Sequence, residues 1–210
     1  MNNLPASIQQ KVCDYYTDKV LTFGETPKGV DWNSRQSQEL RFDQLLKICD
    51  QDIDFSLNDF GCGYGYLFEY MQQKNLKFRY AGFDLSEEMI QRSRKRYASA
   101  NNCQFFSGSD FSDIADYTVA SGILNVKLHH SDVDWEQYAL NTIHKLNDSS
   151  QKGFAFNVLT RYSDKEYMRA DLYYADPCFY FDYCKRNFSR NVALLHDYGL
   201  YEFTMLVRKI

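Results

Sequence analysis

Phe55-Ser56-Leu57-Asn58-Asp59-Phe60-Gly61-Cys62-Gly63-Tyr64-Gly65-Tyr66 is the stretch whose reading decides the fold. Apolar Phe55, Leu57 and Phe60 predict a buried strand. Gly61, Gly63 and Gly65 then let the backbone turn sharply and approach a ligand closely. A helix opening at Tyr66-Leu67-Phe68-Glu69 would aim its free N–H groups at whatever sits there. The dinucleotide fingerprint G-x-G-x-x-G requires its third glycine at position 66, which is Tyr66. The spacing here is G-x-G-x-G, preceded by Asp59.

Outward from this stretch, strands and helices alternate. Residues 78–84 form a predicted second strand that ends on Asp84. Ser86 with Glu87 and Glu88 caps a helix to about Tyr97, since serine and first-turn acids suit a helix N-terminus. Further strands are expected at 103–106, 117–122 and 153–159, with a helix at 132–145. Upstream, a helix from Pro5 ends at Gly24, a turn-rich loop covers 25–33, and Ser34 caps a second helix. Downstream, Asp176-Pro177 starts a helix, and strands at 191–198 and 201–208 are joined by a tight turn at Gly199. The expectation is an α/β fold with a mostly parallel sheet, helices on both faces and a closing antiparallel hairpin. At 210 residues it fits one domain, with residues 1–33 as an N-terminal helix and loop and 34–210 as the main body.

Asp59-Phe60-Gly61-Cys62-Gly63-Tyr64-Gly65 resembles the glycine motif of class I methyltransferases dependent on S-adenosyl-L-methionine (SAM). The predicted sheet resembles their Rossmann-like fold from about residue 34 to the C-terminus. The resemblance implies SAM as cofactor, held by Asp59, Gly61, Cys62 and Gly63. Asp84, with Leu85 after it, takes the place of the family's ribose-binding acid; otherwise it is an acid stabilising the next helix. Asp110-Phe111 takes the adenine position and Ser121-Gly122 the position beside the methionine and sulfonium. Arg41 corresponds to an arginine that holds the SAM carboxylate in some small-molecule members, or else is a surface arginine. Trp32, Gln38 and Asn125 are candidate cofactor or acceptor contacts. His129 and His130 are candidates for a catalytic base, and no base is assigned; His196 is expected in the core.

The implied function is methyl transfer to a small-molecule oxygen or nitrogen, such as a sugar or biosynthetic intermediate. Protein or nucleic-acid methylation and SAM binding without turnover are the alternatives. A net charge of −4 without a long basic run argues against a nucleic-acid partner. The Asn-Pro-Pro-Tyr type motif of amino-methylating DNA enzymes is absent, the fourth strand leaving as Ala120-Ser121-Gly122-Ile123. No run is apolar enough for a membrane span, and Met1-Asn2-Asn3-Leu4-Pro5 lacks the features of a signal peptide. The six cysteines form no metal-binding spacing, so no metal site and a reducing cytoplasm are expected. Cys62 reads as a small side chain in a tight place. Aromatic residues make up 17% of the chain, which supplies either a core or an aromatic-lined pocket. Residues 1–33, carrying Tyr15, Tyr16 and Trp32, are expected to act as a lid; the oligomeric state is left open.

Overall fold

The computed structural model describes residues 4–111 and 113–209, so residues 1–3 of the expected lid lie outside the described residues. Helix α1 (Leu4–Phe23) is followed by a short 3-10 turn at Pro27–Val30 and by α2 (Arg35–Leu46). The alternating unit is β1 (Phe55–Phe60), α3 (Tyr66–Gln73), β2 (Phe78–Asp84), α4 (Glu87–Arg96), β3 (Cys103–Ser107), β4 (Ala115–Ala120), α5 (Asp132–Asp148) and β5 (Ser150–Leu159). It closes with α6 (Pro177–Asn187), β6 (Asn191–Leu195) and β7 (Glu202–Arg208). The sheet order is β3-β2-β1-β4-β5-β7-β6, parallel throughout except for β7, which runs antiparallel to both β5 and β6.

The chain leaves β1 towards β2 on one side and returns to β4 on the other. The order reverses there, which opens a crevice at the C-terminal ends of β1 and β4. Side-chain alternation builds two cores. Phe154, Phe156 and Val158 of β5 pack with Trp135 and Ile143 of α5, while Ala155 belongs to the opposite cluster with Leu45, Leu67 and Phe68. Each buried Phe, Leu, Ile or Val side chain among them contributes about 1.5–3 kcal/mol of burial free energy. Side chains of Ser34, Ser86, Ser131 and Asp176 cap α2, α4, α5 and α6 by accepting an orphan N–H.

Helix α1 places Ile8 and Val12 in the α5-side core and Val20 in the opposite one, so it spans the crevice edge of the sheet. Helix α3 starts at Tyr66, the expected opening, because Gly63 and Gly65 take positive φ values of 55° and 81°. Other sequence expectations shift locally. β4 ends at Ala120, and Gly122 (φ 73°) turns the chain away from the expected strand end. The strands β6 and β7 are linked by residues 196–201, a longer connection than the expected tight turn. His196 therefore leaves the sheet with that loop and is exposed against Tyr162 and Phe203, which corrects its expected core position. Among the described residues no helix is long and apolar enough to cross a membrane.

Candidate active site

The glycine turn is held open by backbone conformation and pinned by β2. Gly61 has φ 83°, and a Cβ built on it would stand 2.1 Å from Ile123 Cγ2. The Gly61 and Cys62 N–H groups donate to the Phe83 carbonyl at 2.7 and 3.0 Å. The Gly63 N–H donates to Asp84 Oδ2 at 2.8 Å, and the Ser86 N–H to Asp84 Oδ1 at 2.9 Å. Ser93 Oγ donates to the Gly63 carbonyl at 3.0 Å. A carboxylate has about four lone-pair positions, so Asp84 keeps acceptor capacity for two further donors. Burial pushes its carboxyl above the ordinary value, against the pull of the backbone N–H groups. Asp59 Oδ2 accepts from the Tyr80 hydroxyl at 2.6 Å. Burial raises the Asp59 carboxyl to about 7, Tyr80 opposing and the Asp84 charge assisting. Burial also pushes the Cys62 thiol well up, so it stays a neutral, inert filler of the turn.

Two cavities meet beside this turn. The first encloses about 90 Å³ among Asp59, Gly61, Gly63, Asp84, Leu85 and Ser121, with Val12, Cys13 and Tyr16 of α1 over it. The second, about 480 Å³, is bounded by Asp31, Arg41, Gly122, Asn125, Arg169 and Tyr201. Tyr16, Val30 and Trp32 line both and form the wall between them. Trp32 lies across Gly122 so closely that a Cβ there would stand 2.3 Å from the indole.

Arg41 stacks its guanidinium over Trp32 at 4.0 Å and donates from Nε to Glu202 Oε2 at 2.8 Å. Glu202 Oε1 accepts from Asn157 Nδ2 at 3.3 Å, and Asn157 Oδ1 accepts from the Gly122 N–H at 2.6 Å. A buried polar chain therefore runs from α2 through β7 and β5 to the tip beyond β4. Burial raises the Glu202 carboxyl, with the Arg41 charge opposing. Asn125 Oδ1 accepts from the Leu159 N–H at 3.0 Å. Ser121 Oγ, Tyr64 Oη and Gln38 Oε1 are buried without a hydrogen-bond partner, and all three residues line the smaller cavity. Unpaired buried polar atoms carry a desolvation cost that a bound ligand would relieve. The positive-φ glycines and these three atoms form a cradle that fits a polar nucleoside.

The structure thus brings Asp59, Gly61, Cys62, Gly63, Asp84, Leu85 and Ser121 together around one cavity, with Gly122, Trp32, Arg41 and Asn125 on the other. Asp110 points outward, its side chain 95% exposed and 3.5 Å from Lys145 Nζ. Phe111 packs on Phe60 and Phe83. His129 is exposed and His130 stacks on Trp135; neither lines either cavity. Burial, then Lys11, lowers the His130 ring below its usual value. Sequence reasoning missed Asp31 and the segment after β5 that supplies Tyr167, Arg169 and Tyr174. Its density of tyrosines was the available signal, but it has no helical or strand period to place it.

A seven-stranded sheet whose last strand in the chain is antiparallel, with a glycine turn and an acid at the second strand tip, defines a Rossmann-like methyltransferase fold. The chain belongs to the class I SAM-dependent methyltransferases, and SAM is its cofactor. A family model described as a methyltransferase domain matches residues 58–148. A Mycobacterium tuberculosis protein bearing the provisional name of methyltransferase Rv1506c is 49% identical over 164 residues, 78% of this chain and 99% of that one. The fold is shared with magnesium protoporphyrin IX methyltransferase (ChlM) from Synechocystis PCC 6803, solved with bound SAM. That match has a TM-score of 0.67 at 14% identity, over 96% of this chain and 97% of the other. N-methyltransferase NodS from Bradyrhizobium japonicum WM9, solved with S-adenosylhomocysteine, matches with a TM-score of 0.64 at 12% identity, over 94% and 98% of the two chains.

Proposed function

We propose that this chain transfers the SAM methyl group to a small-molecule acceptor seated in the 480 Å³ cavity. One observation carries the reading: the two cavities share a single wall of Tyr16, Val30 and Trp32, placed beside Gly122. The volume is of the size that small-molecule sites occupy, and a folded protein or duplex would not enter it. ChlM and NodS, named for methylation of a porphyrin and of nitrogen, support a small acceptor by fold likeness.

SAM supplies a methyl group activated by a sulfonium, so the protein's task is positioning and exclusion of water. The backbone of Gly61 to Gly63 and the free lone pairs of Asp84 would hold the ribose end, with Leu85 beside it. The backbone of Gly108 and Ser109, which lines the cavity, would border the adenine, with Phe111 packed behind on Phe60 and Phe83. Ser121 Oγ and Asp59 would meet the methionine end. Arg41, paired to Glu202 and stacked on Trp32, serves the acceptor side in this reading. The six thiols are free, which supports a cytoplasmic location.

Residues 1–33 act as the lid of this enzyme. The smaller cavity is far below the roughly 300 Å³ of ordinary ligand sites, and α1 is what closes it. Thr17 Oγ1 shares a 2.7 Å hydrogen bond with Ser86 Oγ, and the Cys13 thiol donates to the Leu85 carbonyl at 3.2 Å, holding α1 to the β2 tip. Lifting α1 admits the cofactor, and its return excludes water from the reacting atoms.

Thermal shift with S-adenosylhomocysteine, followed by methyl transfer from labelled SAM into fractionated cell extract, tests the function. Label in the small-molecule fraction is the expected result. Label only in protein or nucleic acid, or stabilisation with no transfer at all, would refute it. Hydrogen exchange tests the lid: protection of α1 should rise on addition of S-adenosylhomocysteine. Equal strong protection in both states would mean a permanently docked helix.

A further inference from the structure

The larger cavity carries a chemical signature of its own. Its charged lining residues among those described are Asp31, Arg41 and Arg169. Each already has one opposite partner: Asp31 with Lys19 at 2.6 Å, Arg41 with Glu202 at 2.8 Å, and Arg169 with Asp171 at 2.5 Å. No lining cation is left to balance a carboxylate or phosphate, and no lining acid to balance an ammonium. The paired groups still offer N–H donors and carboxylate lone pairs, because a guanidinium has five donors and a carboxylate about four acceptor positions. A flat apolar acceptor would strip water from these groups without replacing its hydrogen bonds, which is costly. An uncharged ring rich in hydroxyls would satisfy them.

The apolar surfaces match the same ligand. Trp32, with one indole face under the Arg41 guanidinium at 4.0 Å, stands at the inner wall. At the mouth, Tyr167 and Tyr201 lie 5.9 Å apart, 62% and 44% exposed. A sugar ring has an apolar C–H face that stacks on such rings, and an edge of hydroxyls that reaches paired Asp and Arg groups.

Resting on the assignment of this cavity as the acceptor site, we infer that the acceptor is a hydroxyl of an uncharged sugar ring and that Asp31 receives its proton. A sugar hydroxyl needs a base as its oxygen is alkylated. Asp31 is the sole carboxylate among the described lining residues, and no histidine stands among them. Its left-handed backbone (φ 61°) closes the Pro27–Val30 turn one residue before Trp32. Lys19 and the Tyr15 hydroxyl, at 2.6 and 2.8 Å, fix its two oxygens. In the step, the acceptor oxygen bonds the methyl carbon as the carbon–sulfur bond breaks. The bonding pair of that bond goes to sulfur, leaving a neutral thioether, and the hydroxyl proton goes to the Asp31 carboxylate.

The test offers the full-length protein SAM with methyl glycosides of glucose, galactose, mannose, rhamnose, fucose and xylose. Glucuronate, glucose 6-phosphate, caffeate and spermidine serve as comparisons, and products are read by mass spectrometry. At least one neutral glycoside should gain a methyl group, with kcat/KM at least about 100-fold above any charged comparison. Asp31→Asn, in which asparagine tolerates the same left-handed backbone, should lower kcat about 100-fold or more with little change in KM. S-adenosylhomocysteine should stabilise that variant as it does the parent. Methylation of a comparison compound but no glycoside would overturn the sugar assignment while leaving the methyltransferase reading intact. So would the absence of glycoside binding, by saturation-transfer NMR, to a protein that S-adenosylhomocysteine does stabilise. An unchanged kcat in Asp31→Asn would overturn its role as base. A protein that S-adenosylhomocysteine fails to stabilise would remove the underlying reading as well.

Discussion

Asp84 Oδ2 accepts the Gly63 N–H at 2.8 Å, which ties the tip of β2 to the middle of the glycine turn. The same carboxylate therefore shapes the cradle and, in the proposed cofactor placement, would face the ribose. Asp84→Ala should weaken SAM binding by roughly 2–3 kcal/mol, the scale of lost charge-assisted hydrogen bonds. Isothermal titration on the folded variant measures this, and unchanged affinity would refute the ribose assignment. NADH should not compete, because Tyr66 replaces the third dinucleotide glycine.

The contact of Trp32 with Gly122 gives a second prediction. Gly122→Ala adds a methyl 2.3 Å from the indole at a φ of 73°, so both packing and backbone resist it. The cost should be about 2–3 kcal/mol in chemical denaturation. In a Trp32→Gly background the steric part vanishes and only backbone strain remains, so the two changes should be strongly non-additive. Additive losses would mean that the wall between the cavities is not where it stands here.

Arg41 and Glu202 form a buried pair, with side-chain exposures of 10% and 0%. Arg41→Met should cost about 3–5 kcal/mol at neutral pH, because Glu202 keeps its burial and loses its counter-charge. Without that opposing charge the Glu202 carboxyl rises further above its unfolded value. The native variant then binds the extra proton, and its stability falls as pH rises through that window. Denaturation at about pH 5 and about pH 8 checks the sign, the larger loss being expected at the higher pH.

Asp59 supplies a pH dependence in the parent protein. Its carboxyl sits at about 7 when folded, above the unfolded value of 3.8. Between these values the native state holds a proton that the unfolded state has released. Stability therefore falls as pH rises across that range, and the full penalty is present above about 7. Asp59→Asn keeps an acceptor for the Tyr80 hydroxyl and removes the ionisation. Its stability should match the parent near about pH 4 and exceed it by a few kcal/mol near about pH 8, since one pKa unit is about 1.4 kcal/mol. Parallel slopes for the two proteins in thermal melts would rule this out.

The strands, the capped helices and the glycine turn were legible in the sequence because each depends on near neighbours. Phe55 and Leu57 alternate into the core, Ser34 and Ser86 cap the helices that follow them, and Gly61 and Gly63 take backbone angles that side chains resist. Asp84 could be placed for the same reason: a strand ending in a parallel sheet points its tip at the crevice. The larger cavity, proposed as the acceptor site, was not legible, because it is made of partners far apart in the chain. Arg41 meets Glu202 across 161 positions, which fixes it over Trp32 on the lining of the larger cavity. Asp31 and Arg169 reach one cavity only because α1 folds back over the sheet while the segment after β5 closes the other side. Local pattern thus determined the fold and the glycine turn. The wall, the buried ion pair and the shape of the larger cavity were decided by packing between distant segments, where no residue's neighbours in sequence carry the information.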